Sequence, residues 1–346
     1  MTQTDRQAQL FSIKLAALVR DHSGDLRGGG SDAPDVGAIS TPGMQTGKLG
    51  MFGRGAALTR GPDAWVLVEE YPTRGLGPAM AWARQQQSAT LNVLAEQSTG
   101  VLTRQAQHFR EPPTVWHVEG RVLFPAIPEP FSVSPAVSIE HESMLRLIVA
   151  GGAVPSVEHG VLAGEVAGLE VCRVVTDRYT GEVRLEVGVG AHDREAFQII
   201  HGDKPPVEAL AGVVQAVAPH RLPHASPHPL NRLAPERLLR WELMTDPSLV
   251  GLSMLSPAEP PFPRPNLKDP FPAVAVGATA AGNPVVVVCS VGVDLDVVPF
   301  AADARAFLGL DRADLLLAMP SRDAHEVTLD LASRLKYPAR IVAVDL

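Results

Sequence analysis

Residues 284–319 read PVVVVCSVGVDLDVVPFAADARAFLGLDRADLLLAM, and this stretch decides the fold. The unbroken valine run Val285–Val288 shows no polar alternation, which predicts a strand buried on both faces, as in a parallel sheet covered by helices. An acidic turn with Asp294 and Asp296 follows. Pro299–Leu308 is predicted to be a helix and Leu315–Ala318 a second strand. Further on, Ser321–Leu335 reads as a helix, Pro338 stops it, and Ile341–Val344 supplies a third strand.

Working outward, Ala273–Val293 is long enough and uncharged enough to suggest a membrane span. The turn residues Ala281-Gly282-Asn283-Pro284 break it, so a buried hairpin is expected instead. The amino-terminal half repeats the βαβαβ order. Trp65–Val68 ends in Glu69-Glu70, and Leu76–Gln87 is helical. Leu91–Leu94 is a strand, and a helix begins at Ser98 or Thr99, capped by those hydroxyls, and runs to Phe109. Pro112-Pro113 then precedes the strand Thr114–Val118. Strands begin near residues 66, 90 and 114 in one half and near 292, 315 and 340 in the other. This spacing predicts two βαβαβ units of about 55 residues each, a possible internal duplication.

The expected fold class is therefore α/β with an α+β middle region. Residues 1–62 form an amino-terminal helix (Phe11, Leu15 and Leu18 on one face) and a flexible linker, the glycine-rich stretch from His22 to Gly55. Residues 63–130 form the first βαβαβ domain. Residues 131–346 form an α+β domain whose last part, 272–346, is the second unit. In the middle region Ser138–Val149 reads as a helix. Leu169–Val175 and Val183–Val189 form a hairpin around Tyr179-Thr180-Gly181-Glu182. Asp193–Ile200, Val207–Val217 and Pro235–Met244 are helices, and Ser256–Pro272 is a proline-rich connector.

Composition narrows the function classes. Of 346 residues 45% are hydrophobic and 20% charged, as in a globular protein. Two cysteines, Cys172 and Cys289, exclude a disulfide scaffold and point to a reducing, cytoplasmic setting. A net charge of −8 argues against non-specific nucleic-acid binding. No membrane span is expected.

Ligands of parallel α/β units bind at the carboxyl ends of the strands. Those positions are Glu69, Glu70, Arg74, Glu96, Ser98 and Thr99 in the first unit, and Asp294, Asp296, Ser321, Arg322 and Asp323 in the second. Paired carboxylates there suit Mg²⁺, a hard cation that takes oxygen ligands, which makes Asp294, Asp296 and Ser321 the candidate metal site. Asp294-Leu295-Asp296 after a strand resembles the DxD of haloacid-dehalogenase-type phosphatases. That family also has a downstream lysine and acidic pair; here only Lys336 and Asp345 follow, so a nucleophilic aspartate is not expected.

The middle hairpin carries Glu165, Glu170, Glu186 and Asp193 beside Arg173 and Arg184. An acidic helix with Glu140 and Glu142, then a hairpin, then a helix is similar in order to restriction-endonuclease-like nucleases, with Glu186-Val187-Gly188 where that family has ExK. Glu170, Glu186 and Asp193 are thus the candidate catalytic residues, although strand alternation alone would put both glutamates on polar faces. His192 beside Asp193 is a conceivable acid/base pair. His220, His224 and His228 could gather around Zn²⁺ or Ni²⁺, but prolines forbid one helix through them. Arg232, Arg237 and Arg240 near Trp241 form a basic cluster on a helix expected to turn its leucines inward and its arginines to solvent.

No complete catalytic set emerges, and no cofactor is evident beyond a possible Mg²⁺. The expectation is a non-catalytic binding or assembly protein with a protein partner or a phosphate-containing ligand. The alternative is a Mg²⁺-dependent phosphoester hydrolase or nuclease using strand-end carboxylates.

Overall fold

A computed structural model describes residues 3–25, 49–52, 55–69, 73–201, 204–222, 225–266 and 269–345. The fold is α/β with mixed sheets. It divides into two compact units, Met1–Pro130 with Asp330–Pro338, and Phe131–Leu329 with Ala339–Leu346.

The first unit is built on a six-stranded sheet in sequential order: β1 (Leu49–Phe52), β2 (Gly55–Arg60), β3 (Asp63–Val68), β4 (Thr90–Ala95), β5 (Thr114–Glu119) and β6 (Val122–Pro125). β3, β4 and β5 are parallel and the outer strands antiparallel. The crossovers are α2 (Leu76–Gln85) and α3 (Thr99–Ala106), as expected. The hydroxyl cap is not made: Ser98 adopts a left-handed backbone, φ +51°, and makes no side-chain cap. α1 (Gln3–Asp25) packs Leu15, Leu18 and Val19 against Trp65, Leu67 and Leu94. The expected linker lies mostly outside the described residues; where it is described, it ends α1 and forms β1 and the start of β2. Residues 108–110 pair with the returning segment around Leu335.

The second unit contains α4 (Ile139–Glu142), α5 (Leu145–Ala150) and a four-stranded antiparallel sheet in the order β10-β9-β8-β7: β7 (Val154–Glu158), β8 (Val161–Val166), β9 (Leu169–Thr176) and β10 (Val183–Val187). The single helix expected over Ser138–Val149 is two short ones, broken at Ser143 and Met144. α6 (Ala191–His201) and α7 (Pro206–Val217) follow, with Ala209, Leu210 and Val217 buried against Val171, Cys172 and Leu185.

α8 (Pro235–Thr245) leads to the second sheet of the unit, β11 (Met254–Ala258), β12 (Ala273–Ala278), β13 (Pro284–Cys289), β14 (Asp314–Met319) and β15 (Arg340–Ala343), in that order. β12 and β13 are the expected hairpin, and β13, β14 and β15 are parallel. Val285–Val288 are buried on both faces, which is why the run lacks alternation. α9 (Val297–Phe307) and α10 (Glu326–Ser333) are the crossovers. The helix expected to start at Ser321 begins instead with a separate turn at Ser321–Asp323. Among the described residues no helix is long and apolar enough to cross a membrane.

Candidate functional site

The β8–β9 hairpin creates an electrostatic problem that its neighbours solve. Its turn, Ala167-Gly168, has positive φ at both central residues, the geometry of a tight hairpin. A register shift beside Gly164 sets Glu165 directly opposite Glu170. Like charges facing each other across a strand pair repel, and both residues are only 7% exposed. Guanidinium groups arriving from other elements compensate them. Arg237 of α8 bonds Glu165 and, on β7, Glu158. Arg240 of the same helix lies 3.4 Å from Glu158 and 3.8 Å from Glu165. Arg173 holds Glu170 through Nε and Nη2, both at 2.9 Å, and Arg194 of α6 adds a third bond at 3.0 Å.

Burial opposes the charge on Arg237, but Glu165, Glu158 and Glu170 together carry its pKa above the ordinary guanidinium value. Arg173 is likewise raised, chiefly by its bonds to Glu170. The basic cluster read as solvated is thus turned inward at Arg237 and Arg240. Helix amphipathicity misjudged them because each aliphatic stem packs inward while its head meets a buried carboxylate.

Above this floor lies a cavity of about 760 Å³, whose wall includes Glu165, Glu170, Arg173, Arg194, Arg237 and Arg264. The Gly188–Gly190 turn and the start of α6 form one side. There Asp193 accepts the Val189 N–H at 2.7 Å, a capping role. The exposed His192 lines the cavity, and no contact with Asp193 pairs the two.

His159, in the β7–β8 turn, was not anticipated from sequence. Its backbone is left-handed, φ +49°, beside Gly160 at +74°. Its N–H donates to Glu259 Oε2 at 2.6 Å. Nδ1 lies 3.3 Å from the Ser134 hydroxyl, which itself donates to Glu259. The histidine-glycine pair between two valine-bearing runs was the local signal for this turn.

The other candidates are distributed as follows. Glu186 bonds Arg184 at 3.0 Å and lies 3.6 Å from Arg194, so Glu170 and Glu186 share one arginine. Asp177 anchors the β9–β10 turn; backbone N–H groups of Thr180 and Tyr179 hold its carboxyl at about 2. Asp294 Oδ1 accepts the Asp296 N–H at 3.0 Å, and Asp323 accepts the Gly292 N–H at 2.7 Å, tying together the carboxyl ends of β13 and β14. Ser321 is exposed beside them.

In the first unit Lys14 of α1 bonds both Glu69 and Glu96 at the ends of β3 and β4. Its ammonium takes the place between paired carboxylates that a cation would occupy. Glu70 and His224 lie outside the described residues. His220 and His228 stack face to face, centroids 3.7 Å apart, so their in-plane nitrogens run side by side rather than converging on an ion. Among the described residues no group of three or more His, Cys, Asp or Glu side chains is placed to hold a metal.

Glu236 on α8 is 2% exposed and its Oε2 has no hydrogen-bond partner. Burial raises its pKa, with backbone N–H groups and Arg264 pulling the other way and Asp294 adding to the rise. A carboxyl bound more tightly to its proton in the fold stabilises below the ordinary carboxylate range and loses that contribution as pH rises through the folded value. Glu236→Gln is therefore expected to gain about 1 kcal/mol at neutral pH and nothing in acid. Melting curves at both pH values check this; a loss at neutral pH would show that the ionised carboxylate is stabilising.

No protein-family model matches the chain, and no curated protein or solved structure gives a significant match.

Proposed function

We propose that this chain is a cytoplasmic, non-catalytic binding protein that holds a small polar molecule in the cavity of its second unit. One observation carries the reading: every glutamate on the cavity floor, Glu158, Glu165 and Glu170, is engaged by arginine. A catalytic acid or base must exchange a proton with substrate, and a metal-binding carboxylate must offer open oxygens. Carboxylates locked to guanidinium groups are suited to neither task and suited to shaping a rigid wall. The cavity volume falls in the range of about 300–1,000 Å³ typical of small-molecule sites. Cys172 and Cys289 are free and buried, their thiols pushed up to about 12 by desolvation, which supports a reducing compartment and no thiol chemistry.

A second reading, the Mg²⁺-dependent phosphoester hydrolase, draws support from the sharing of Arg194 by Glu170 and Glu186. It requires a cation to displace that arginine. One experiment separates the two. A thermal-shift screen of polar metabolites with and without Mg²⁺ should find a saturable, Mg²⁺-independent rise in melting temperature. In parallel, bis-para-nitrophenyl phosphate should stay intact. Mg²⁺-dependent cleavage of that ester, abolished by Glu186→Gln, would replace the binding reading with the hydrolase.

A further inference from the structure

We propose that the cavity takes the anionic end of a small molecule, a phosphate or carboxylate group, gripped by Arg173 and Arg264. This rests on the binding reading above and adds the chemistry of the ligand.

The floor acids are already satisfied. Glu165 and Glu158 each meet Arg237 and Arg240, and Glu170 meets Arg173 and Arg194. A guanidinium carries five N–H donors and no acceptor, so two of them against one carboxylate leave the wall richer in donors than in acceptors. Arg173 is the accessible member of the set, its side chain 39% exposed at the cavity. The other carboxylates on the wall are tied into local turns: Asp193 accepts the Val189 N–H, and Asp269 accepts from Asn266 Nδ2 at 2.6 Å.

Arg264 and Arg237 line the same cavity and repel one another; burial first and then the charge of Arg237 depress the pKa of Arg264. An anion placed against them converts that repulsion into two charge-assisted attractions. Independently, two enclosed nitrogens of wall residues, Nε of Arg194 and Nε2 of His159, have no hydrogen-bond partner. Buried polar atoms in folded proteins nearly always have one, and the Arg194 nitrogen is a donor that only an acceptor can satisfy. The surplus of donors, the opposed guanidinium groups and the orphaned nitrogens all ask for the same partner, an oxyanion.

Calorimetry on the full chain tests this with inorganic phosphate and citrate as anionic probes, choline as a cationic one and erythritol as a neutral one, all at constant ionic strength. At least one anion should bind saturably, and Arg173→Gln and Arg264→Gln should each weaken it by about tenfold or more. Arg178→Gln removes the same charge from the exposed β9–β10 turn and should leave the affinity unchanged. Melting curves confirm that each variant is folded, and the half-exposed Arg173 keeps the test valid if Arg264→Gln unfolds. Equal anion affinity in all the proteins would overturn the site. Binding of choline or erythritol without the anions would overturn the ligand class and leave the cavity as a binding site. No heat from any probe would count against both.

Discussion

Arg221→Met is expected to destabilise the protein by about 4 kcal/mol, read as a lower urea midpoint with an unchanged slope. Arg221 is 2% exposed, and its guanidinium bonds four backbone carbonyls: Ala167 through Nε and Nη2, Leu230 and Leu233 through Nη1, and Ala234 through Nη2. Burial lowers its pKa to about 10, so the group is still charged at neutral pH. It joins the β8–β9 turn to the chain that enters α8, two segments with no shared secondary structure. Methionine matches much of the volume but donates nothing. Each buried carbonyl left without a donor costs about 1–3 kcal/mol, and local relaxation recovers part of the sum. Arg221→Lys restores a single donor head and should recover less than half of the loss. A total cost under about 1 kcal/mol would mean that water replaces the guanidinium, and the segment is then not held by this residue.

The parts legible in the sequence are those whose signal is local. Val285–Val288 revealed a doubly covered strand because burial on both faces removes polar alternation, and Leu15 and Leu18 revealed the docked face of α1. The β7–β8 hairpin escaped notice since its outer strand leaves Val154 and Val157 exposed and carries little pattern. The site is harder still. Arg237 finds Glu165 72 residues away and Glu158 79 away, and no periodicity records a pairing over that distance. That Glu165 faces Glu170 depends on a one-residue slip in strand register, a property of the paired strands and of neither alone. The charged residues were visible as types; their mutual neutralisation, which removes the open carboxylates a hydrolase needs, was not.

Gly168→Ala should have the largest effect, a loss of about 3–5 kcal/mol or failure to fold. Two separate costs meet there. Gly168 has φ +78°, where an L-residue is strained by about 1–2 kcal/mol. A Cβ would also stand 2.4 Å from the Arg237 carbonyl oxygen and 2.5 Å from its carbon, backbone atoms of α8 that cannot swing aside. Relieving such overpacking costs about 1–3 kcal/mol more. Gly181 separates the two costs: it has φ +70°, but a Cβ added there would meet nothing within 4 Å, so Gly181→Ala should lose only the strain. Equal losses at the two glycines would mean that α8 yields freely at this contact. If the larger loss is confined to Gly168, the hairpin turn is what holds α8 in place. The helix that must move carries Arg237 and Arg240, so a folded Gly168→Ala protein should also bind the anionic probes more weakly. Stability and ligand affinity would then fall together from one methyl group on the far side of the ion pairs, because a single close approach of backbone to backbone sets the position of the cavity floor.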